Sequence, residues 1–483
     1  MIVLAQTVVY VVEMIGVIVL ARLLVPQDFG LVAMVTAFSM LLQNFGTVWF
    51  TEVVIQQEQL SHHQLSNFFW INVSMSVGIM VLFIASSPLL GWIYKEPRLT
   101  NIAIVMSATI LFGGLSTHHV ALLKRKLLFF RASFIQVLAA VGSIIIGISL
   151  AASGAGYWSL VLRRLSIPAI TAVLAWVLCR WRPGVPSRGY NVRPMVVFAI
   201  RTYLSYCLTY AQRTIDKVLI GRFHGPTSLG NYDKAYHFTS LLPNQLTIPV
   251  TNVAIATMSR LRDNPEKFRH YFYFVFGIVA FVGMLGGAVL TVVGKDMIVI
   301  VLGSQWEDAG VVFTAFAPGI GMFLLYNMNQ WLHFSLGRAD RLLRWNIVAV
   351  IFVVASYAIG MPFGPEGVAL AYSICFYVLL WPALWFAGKP IGITARQCFL
   401  TIWKYIASGA ATCFMIWLAV NYATAIGSFV YIQSRAIRAL LGFLAVTILY
   451  CLLVVILHRG TLPFGQLYTL LKQLRRSEKK TED

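Results

Sequence analysis

Stretches of about twenty apolar residues follow one another along nearly the whole chain, and charges gather in the short gaps between them. A chain built this way must either bury every stretch at once or place them in lipid. The first option fails on composition. Hydrophobic residues make up 59% and charged residues 11% of the 483 residues, and mean hydropathy is +0.78. Soluble domains carry about 25% charged and about 45–50% apolar residues. A cytosolic enzyme and a disordered chain are both excluded. So is a nucleic-acid-binding module, despite the net charge of +20. The fold class is an all-α polytopic membrane protein.

Fourteen spans fit the pattern. They lie near 1–24, 29–51, 67–94, 100–122, 133–152, 157–180, 195–221, 230–258, 270–294, 308–333, 343–361, 367–387, 398–421 and 437–457. The run opening at Met1 lacks the basic flank and small-residue cleavage site of a signal peptide, so it reads as span 1. Loop charge tests the count, because Lys and Arg concentrate on the cytoplasmic side. With a cytoplasmic N-terminus, inside segments hold 23 basic residues and outside loops hold 7. The positive charge is thus a topology signal with contact to anionic lipid. Both termini are expected in the cytoplasm.

Chemistry motifs are missing. The chain has no P-loop, GxSxG or HExxH motif and no supported carboxylate pair. The reading is therefore a non-enzyme, with no cofactor and no metal. The six cysteines have no metal-type spacing and read as small hydrophobes. His62-His63 and His118-His119 fall near span ends, where solvated loop positions are expected.

A repeat emerges at an offset of 200 residues. Residues 22–47 and 222–247 align without a gap, and eight of 26 positions are identical. The matches include Arg22/Arg222, Pro26/Pro226, Gly30/Gly230, Asn44/Asn244 and Thr47/Thr247, which shared apolar bias does not produce. Weaker echoes recur near an offset of 210. Basic segments follow spans 4 and 10, and Gly-containing turns precede spans 6 and 12. The expected organisation is an N-lobe at 1–180, a C-lobe at 195–387, two further helices at 398–457 and a basic cytoplasmic tail at 458–483. Each lobe has six crossings, so the two pseudo-symmetric lobes share one membrane orientation. Transporters with internal repeats bind substrate at the repeat interface.

The most specific text is Arg213-Thr214-Ile215-Asp216-Lys217-Val218-Leu219-Ile220-Gly221-Arg222-Phe223, followed by Leu229-Gly230-Asn231-Tyr232-Asp233-Lys234-Ala235-Tyr236. Its counterpart is Ala21-Arg22-Leu23-Leu24-Val25-Pro26-Gln27-Asp28-Phe29-Gly30-Leu31. This resembles the polysaccharide transporter family of the multidrug/oligosaccharidyl-lipid/polysaccharide flippase superfamily, over nearly the whole chain. It looks closest to the colanic-acid-exporter and lipopolysaccharide-biosynthesis flippase type. The resemblance implies a flippase for undecaprenyl-diphosphate-linked oligosaccharide in the bacterial inner membrane, working by alternating access. Implied partners are the lipid-linked oligosaccharide, membrane lipids, and the polysaccharide polymerase and glycosyltransferases of the same pathway. A cation-coupled multidrug antiporter is the alternative on the same architecture, and an integral-membrane glycosyltransferase or ligase is a third reading.

Ionisable groups at bilayer depth cost about 2.5–3.5 kcal/mol each on insertion scales, so they face a cavity or a partner. Gln6, Tyr10 and Glu13 share one face of span 1. Tyr206, Tyr210, Arg213 and Lys217 share a face of span 7, with Asp216 adjoining. The 200-residue shift superposes Gln6 on Tyr206, Tyr10 on Tyr210 and Glu13 on Arg213, as a common polar cavity requires. Arg213 and Lys217 suit a lipid diphosphate, because the planar Arg fork can make two parallel hydrogen bonds to phosphate oxygens. Asp216 could instead simply neutralise them. Arg163 and Arg164 in span 6 point about 100° apart, so one at most aims squarely inward. The other reading for this pair, and for Arg201, is snorkelling to headgroups. Glu13 is the candidate for ion coupling, or else a plain ion-pair partner. Asn44 and Asn244 could bond between helices or line a sugar path.

Overall fold

In a computed structural model of the chain, residues 2–56, 61–186, 203, 206, 207, 210, 214–425, 434–461 and 463–466 are described. They are helical, with short connections and no strand among the described residues. Ten helical stretches among them are long and apolar enough to cross a membrane. The protein is a multi-pass, all-α membrane protein. Most of the expected span at 195–221 lies outside the described residues.

The chain divides into two compact units, Met1–Gly230 and Asn231–Asp483. This division follows packing, whereas the lobes read from the sequence follow repeat register. The first unit holds α1 (Ile2–Leu23), α2 (Pro26–Gln56), α3 (His62–Tyr94), α4 (Arg98–Arg125), α5 (Phe129–Ala152) and α6 (Tyr157–Cys179). Helix α4 is its centre and packs on α2, α3 and α6, while α1 packs on α5. Next comes α7 (Ile215–Arg260), which runs across the unit boundary. The second unit continues with α8 (Pro265–Leu302), α9 (Glu307–Ser335), α10 (Ala339–Gly360), α11 (Gly364–Gly388), α12 (Ala395–Ala425) and α13 (Arg435–His458). Here α9 packs between α8 and α11, and α12 and α13 lie on α8.

Helix α7 departs from the sequence expectation of a loop near 222–229. Only Gly225 leaves helical geometry, at φ 82° and ψ −178°. Glycine tolerates that positive φ, and Pro226 restarts the next helix at once because a proline at the first helical position loses no needed donor. The same device opens α2 at Pro26. Inside the first unit the two starts cross. A Cβ on Gly30 would overlap the Pro226 carbonyl oxygen, and one on Gly230 would overlap the Pro26 carbonyl oxygen and come within 3.1 Å of the Gly30 nitrogen. The glycines identical across the 200-residue shift are therefore the ones whose missing side chains let the helices touch.

The 210-residue echo has a hydrogen-bonded counterpart. At the end of α4, Lys126 N donates to Leu122 O (2.9 Å), Leu127 N to Lys124 O (3.0 Å) and Leu128 N to Leu123 O (2.9 Å). At the end of α9, Leu336 N donates to Leu332 O (3.2 Å), Gly337 N to Phe334 O (3.1 Å) and Arg338 N to His333 O (2.8 Å). Every donor and acceptor moves by 210 residues. The next helix in each repeat then sends an arginine to the final helix. Arg131 donates to Leu178 O at 3.2 Å, and Arg341 donates to Phe386 O. Cations at helix C-termini satisfy carbonyls that have no partner within the helix.

One expectation is overturned. His118 and His119 are fully buried inside α4 rather than solvated. Aromatic rings surround them. Phe68 and Phe69 meet His118 edge-on at 5.3 and 5.5 Å, and Trp176 stacks on His119 at 4.4 Å. The imidazole faces are apolar enough to pack against rings, a role that a hydropathy reading does not assign to histidine.

Candidate functional site

In the first unit, α1 brings Glu13 against α6, where Arg163 Nη2 donates to Glu13 Oε2. The Arg163 side chain is 16% exposed and Glu13 34%. The aliphatic part of Arg163 lies over Gly147 of α5, where a Cβ would stand 3.0 Å from Arg163 Cδ. Its Nε is buried and makes no hydrogen bond to protein. Arg163 is therefore held at one edge of its fork by a carboxylate.

Arg164 takes a different direction. Its Nη2 reaches Met40 Sδ of α2 at 2.9 Å. Tyr210 is hydrogen-bonded to Thr214 and lies within electrostatic range of both Arg164 and Lys217. Tyr203, Tyr206 and Tyr210 form a ladder, with ring centroids 6.3 and 5.6 Å apart. Tyr203 donates to Leu41 O at 2.9 Å, and Asn44 donates to the Tyr206 hydroxyl. These contacts join Glu13 to α6 and Tyr206 to α2.

Asp216 is buried, and its Oδ1 accepts from Lys217 N at 2.8 Å. Gln6 and Tyr10 are exposed. Arg213 and Arg201 lie outside the described residues, and Asn244 lies in α7 with its side chain outside them. Sequence reasoning passed over Lys234, whose side chain is 10% exposed and stands 3.9 Å from Asp233 in the second unit. A charge inside the expected span at 230–258 was the signal for it. At the position 210 residues after Arg163 stands Ser373. Its hydroxyl faces Ala315 O at 2.9 Å and Ala369 O at 3.1 Å. The cation on span 6 is thus a feature of the first repeat alone. Among the described residues, no group of three or more His, Cys, Asp or Glu side chains could hold a metal ion.

The polysaccharide biosynthesis protein family model matches residues 19–311, more than half of the chain. The chain belongs to that family. Similar relatives include the lipopolysaccharide biosynthesis protein WzxC of Escherichia coli K12, 23% identical and covering 84% of this chain and 83% of that protein. The teichuronic acid biosynthesis protein TuaB of Bacillus subtilis 168 is 23% identical over 76% of each chain. The succinoglycan biosynthesis transport protein ExoT of Rhizobium meliloti 1021 is 23% identical over 74% of this chain and 72% of that one. Among solved structures, the lipid II flippase MurJ in an inward closed conformation has a TM-score of 0.71 at 14% identity, over 95% of this chain and 98% of that one. An inward-facing multidrug resistance MATE family transporter of the MOP superfamily has a TM-score of 0.63 at 13% identity, over 80% of this chain and 95% of that one. These two likenesses establish the fold.

Proposed function

We propose that the protein is a flippase carrying a polyprenyl-diphosphate-linked oligosaccharide across the bacterial inner membrane by alternating access, with both termini in the cytoplasm. Family membership and the roles that its relatives' names give them in lipopolysaccharide, teichuronic acid and succinoglycan biosynthesis support the substrate class. The observation that carries the reading is the Glu13–Arg163 pair with Arg163 Nε left unbonded. A guanidinium already desolvated and half-engaged can exchange a carboxylate for phosphate oxygens without a fresh desolvation cost. Glu13 keeps the cation neutralised when no phosphate is present. Phosphate then competes for the same fork. Arg164 and Lys217 add positive potential nearby, with Arg213 and Arg201 as further candidates on span 7. The sugars cross beside the polar tyrosines and Asn44, while the polyprenyl tail stays in lipid. Two six-span repeats and two further helices provide the frame. No step makes or breaks a covalent bond, so the protein is a transporter rather than a catalyst.

The test is Arg163→Ala in cells that depend on this protein for surface glycan. Export stops and lipid-linked intermediates accumulate on the cytoplasmic side, at unchanged protein level. Arg163→Lys restores part of the export, because charge returns without the planar fork. Normal export in Arg163→Ala removes Arg163 from the substrate site. Resistance to cationic drugs that depends on Glu13, without any glycan phenotype, establishes the antiporter instead.

A further inference from the structure

The connection between α4 and α5 reads Lys124-Arg125-Lys126-Leu127-Leu128-Phe129-Phe130-Arg131. Its counterpart 210 residues on reads Phe334-Ser335-Leu336-Gly337-Arg338-Ala339-Asp340-Arg341. The two turns make the same backbone hydrogen bonds, so a difference in side chains is not imposed by the turn. Both place their fourth residue at positive φ, 66° for Gly337 and 56° for Leu127. Glycine fits that conformation, and a leucine there is strained. The strained leucine is also 72% exposed, and Phe130 beside it is 63% exposed. Phe130 stacks on Phe134 one turn along α5, at 6.2 Å. A strained residue that leaves an apolar side chain exposed gains nothing inside the unit.

The surrounding cations divide in two. Arg125 donates to Val54 O at 3.0 Å and Arg131 to Leu178 O at 3.2 Å, fastening the turn to the ends of α2 and α6. Lys126 is exposed and Lys124 is partly exposed. An apolar tip rimmed by lysines matches one surface in both respects, a leaflet whose headgroups are anionic and whose acyl chains begin just below them.

We propose that segment 127–130 is an interfacial foot for anionic lipid. Leu127 and Phe130 enter the acyl region, and Lys124 and Lys126 hold lipid phosphate. Its assignment to the cytoplasmic leaflet rests on the orientation given above. The counterpart turn lacks such a tip, since Gly337 stands where Leu127 does and Asp340 where Phe130 does.

The experiment places a photo-crosslinking benzoylphenylalanine at position 130 of the full-length protein. The protein is then put into nanodiscs of phosphatidylcholine alone or with phosphatidylglycerol. The foot predicts lipid adducts in both, enriched several-fold for phosphatidylglycerol over its share, and loss of that enrichment in Lys124→Gln/Lys126→Gln. Leu127→Gly keeps the fold and melts higher in detergent, where the strain is relieved and no leaflet is present. Absence of lipid adducts, or adducts in proportion to lipid composition, overturns the proposal. So does a protein adduct at position 130 in native membranes. Labelling of Lys126→Cys by an impermeant thiol reagent in right-side-out and inverted vesicles reads orientation separately. Labelling from outside the cell, with enriched adducts intact, leaves the foot standing and removes the assigned topology.

Discussion

Positions 163 in α6 and 373 in α11 lie 210 residues apart and carry different chemistry. In the first repeat Arg163 is held by Glu13 of α1. In the second, Ser373 of α11 folds its hydroxyl back onto carbonyls of α9 and of its own helix. Around Ser373 the packing is aromatic, with Tyr372 edge-on to Phe316 at 5.7 Å and to Phe376 at 4.7 Å. The turn hydrogen bonds after α4 and α9 recur 210 residues apart, while these two positions, at the same spacing, differ. One carries a charged pair and the other a closed polar contact. Under the proposed function the charged pair is where a phosphate competes, whereas the Ser373 hydroxyl is taken up by helix carbonyls.

The comparison breaks most visibly at the charged pair. Removing Arg163 should abolish export, whereas Ser373→Ala should leave export intact and lower stability by about 1 kcal/mol, the value of a typical buried hydrogen bond. Export assays and melting of the purified variants check both. Glu13→Ala strands a mostly buried cation. Loss of one partner of a buried pair costs about 3–5 kcal/mol, reduced here because Glu13 is partly exposed. Glu13→Ala/Arg163→Ala should therefore be more stable than Glu13→Ala alone, a sub-additive cycle measurable by thermal unfolding. The double variant, lacking Arg163, fails to export.

A second contrast is sharpened at the crossing. Gly30→Ala and Gly230→Ala should each destabilise by about 1–3 kcal/mol or more, the range for overpacking, because the added carbon meets a backbone carbonyl that cannot rotate away. Gly78, whose Cβ would meet nothing within 4 Å, should accept alanine without loss of thermal stability.

The smallest effect concerns pH. Glu96, in the turn between α3 and α4, has its carboxyl held below the ordinary range by the hydrogen bonds from Arg98, with Nε to Oε1 at 2.8 Å. A lowered folded value contributes stability above the unfolded carboxylate pKa, and the contribution disappears as pH falls through the folded value. Since Arg98 is 41% exposed, solvent screens the pair to well below about 1 kcal/mol. Glu96→Gln should lower the melting temperature slightly at neutral pH and flatten the acid limb of the melting curve, because the neutral amide has no pH-dependent contribution to lose.

Hydropathy made the spans legible, because lipid selects each one for length and apolarity independently of its neighbours. Helix ends were less legible. Helix α3 begins at His62 rather than near 67, since the Ser61 side chain accepts from Gln64 N at 3.2 Å and extends the helix into polar residues. Helix α8 begins at Pro265 rather than near 270 for the same reason, with Asn264 Oδ1 accepting from Lys267 N at 3.1 Å. Within the site, the residue types were visible but their pairing was not. Glu13 and Arg163 are 150 residues apart, and helix periodicity reports only the face each occupies. The two buried histidines were hidden because ring packing from α3 and α6 is a property of the assembled unit.

Binding of polyprenyl diphosphate against polyprenyl alcohol, each titrated into the purified protein, asks the central question most directly. One charge-assisted hydrogen bond is worth about 1.5–3 kcal/mol, so the diphosphate should bind at least about tenfold more tightly. Arg163→Ala should erase that preference while leaving affinity for the alcohol unchanged. Equal affinities in the wild-type protein, or a preference that survives Arg163→Ala intact, would contradict a phosphate contact at Arg163.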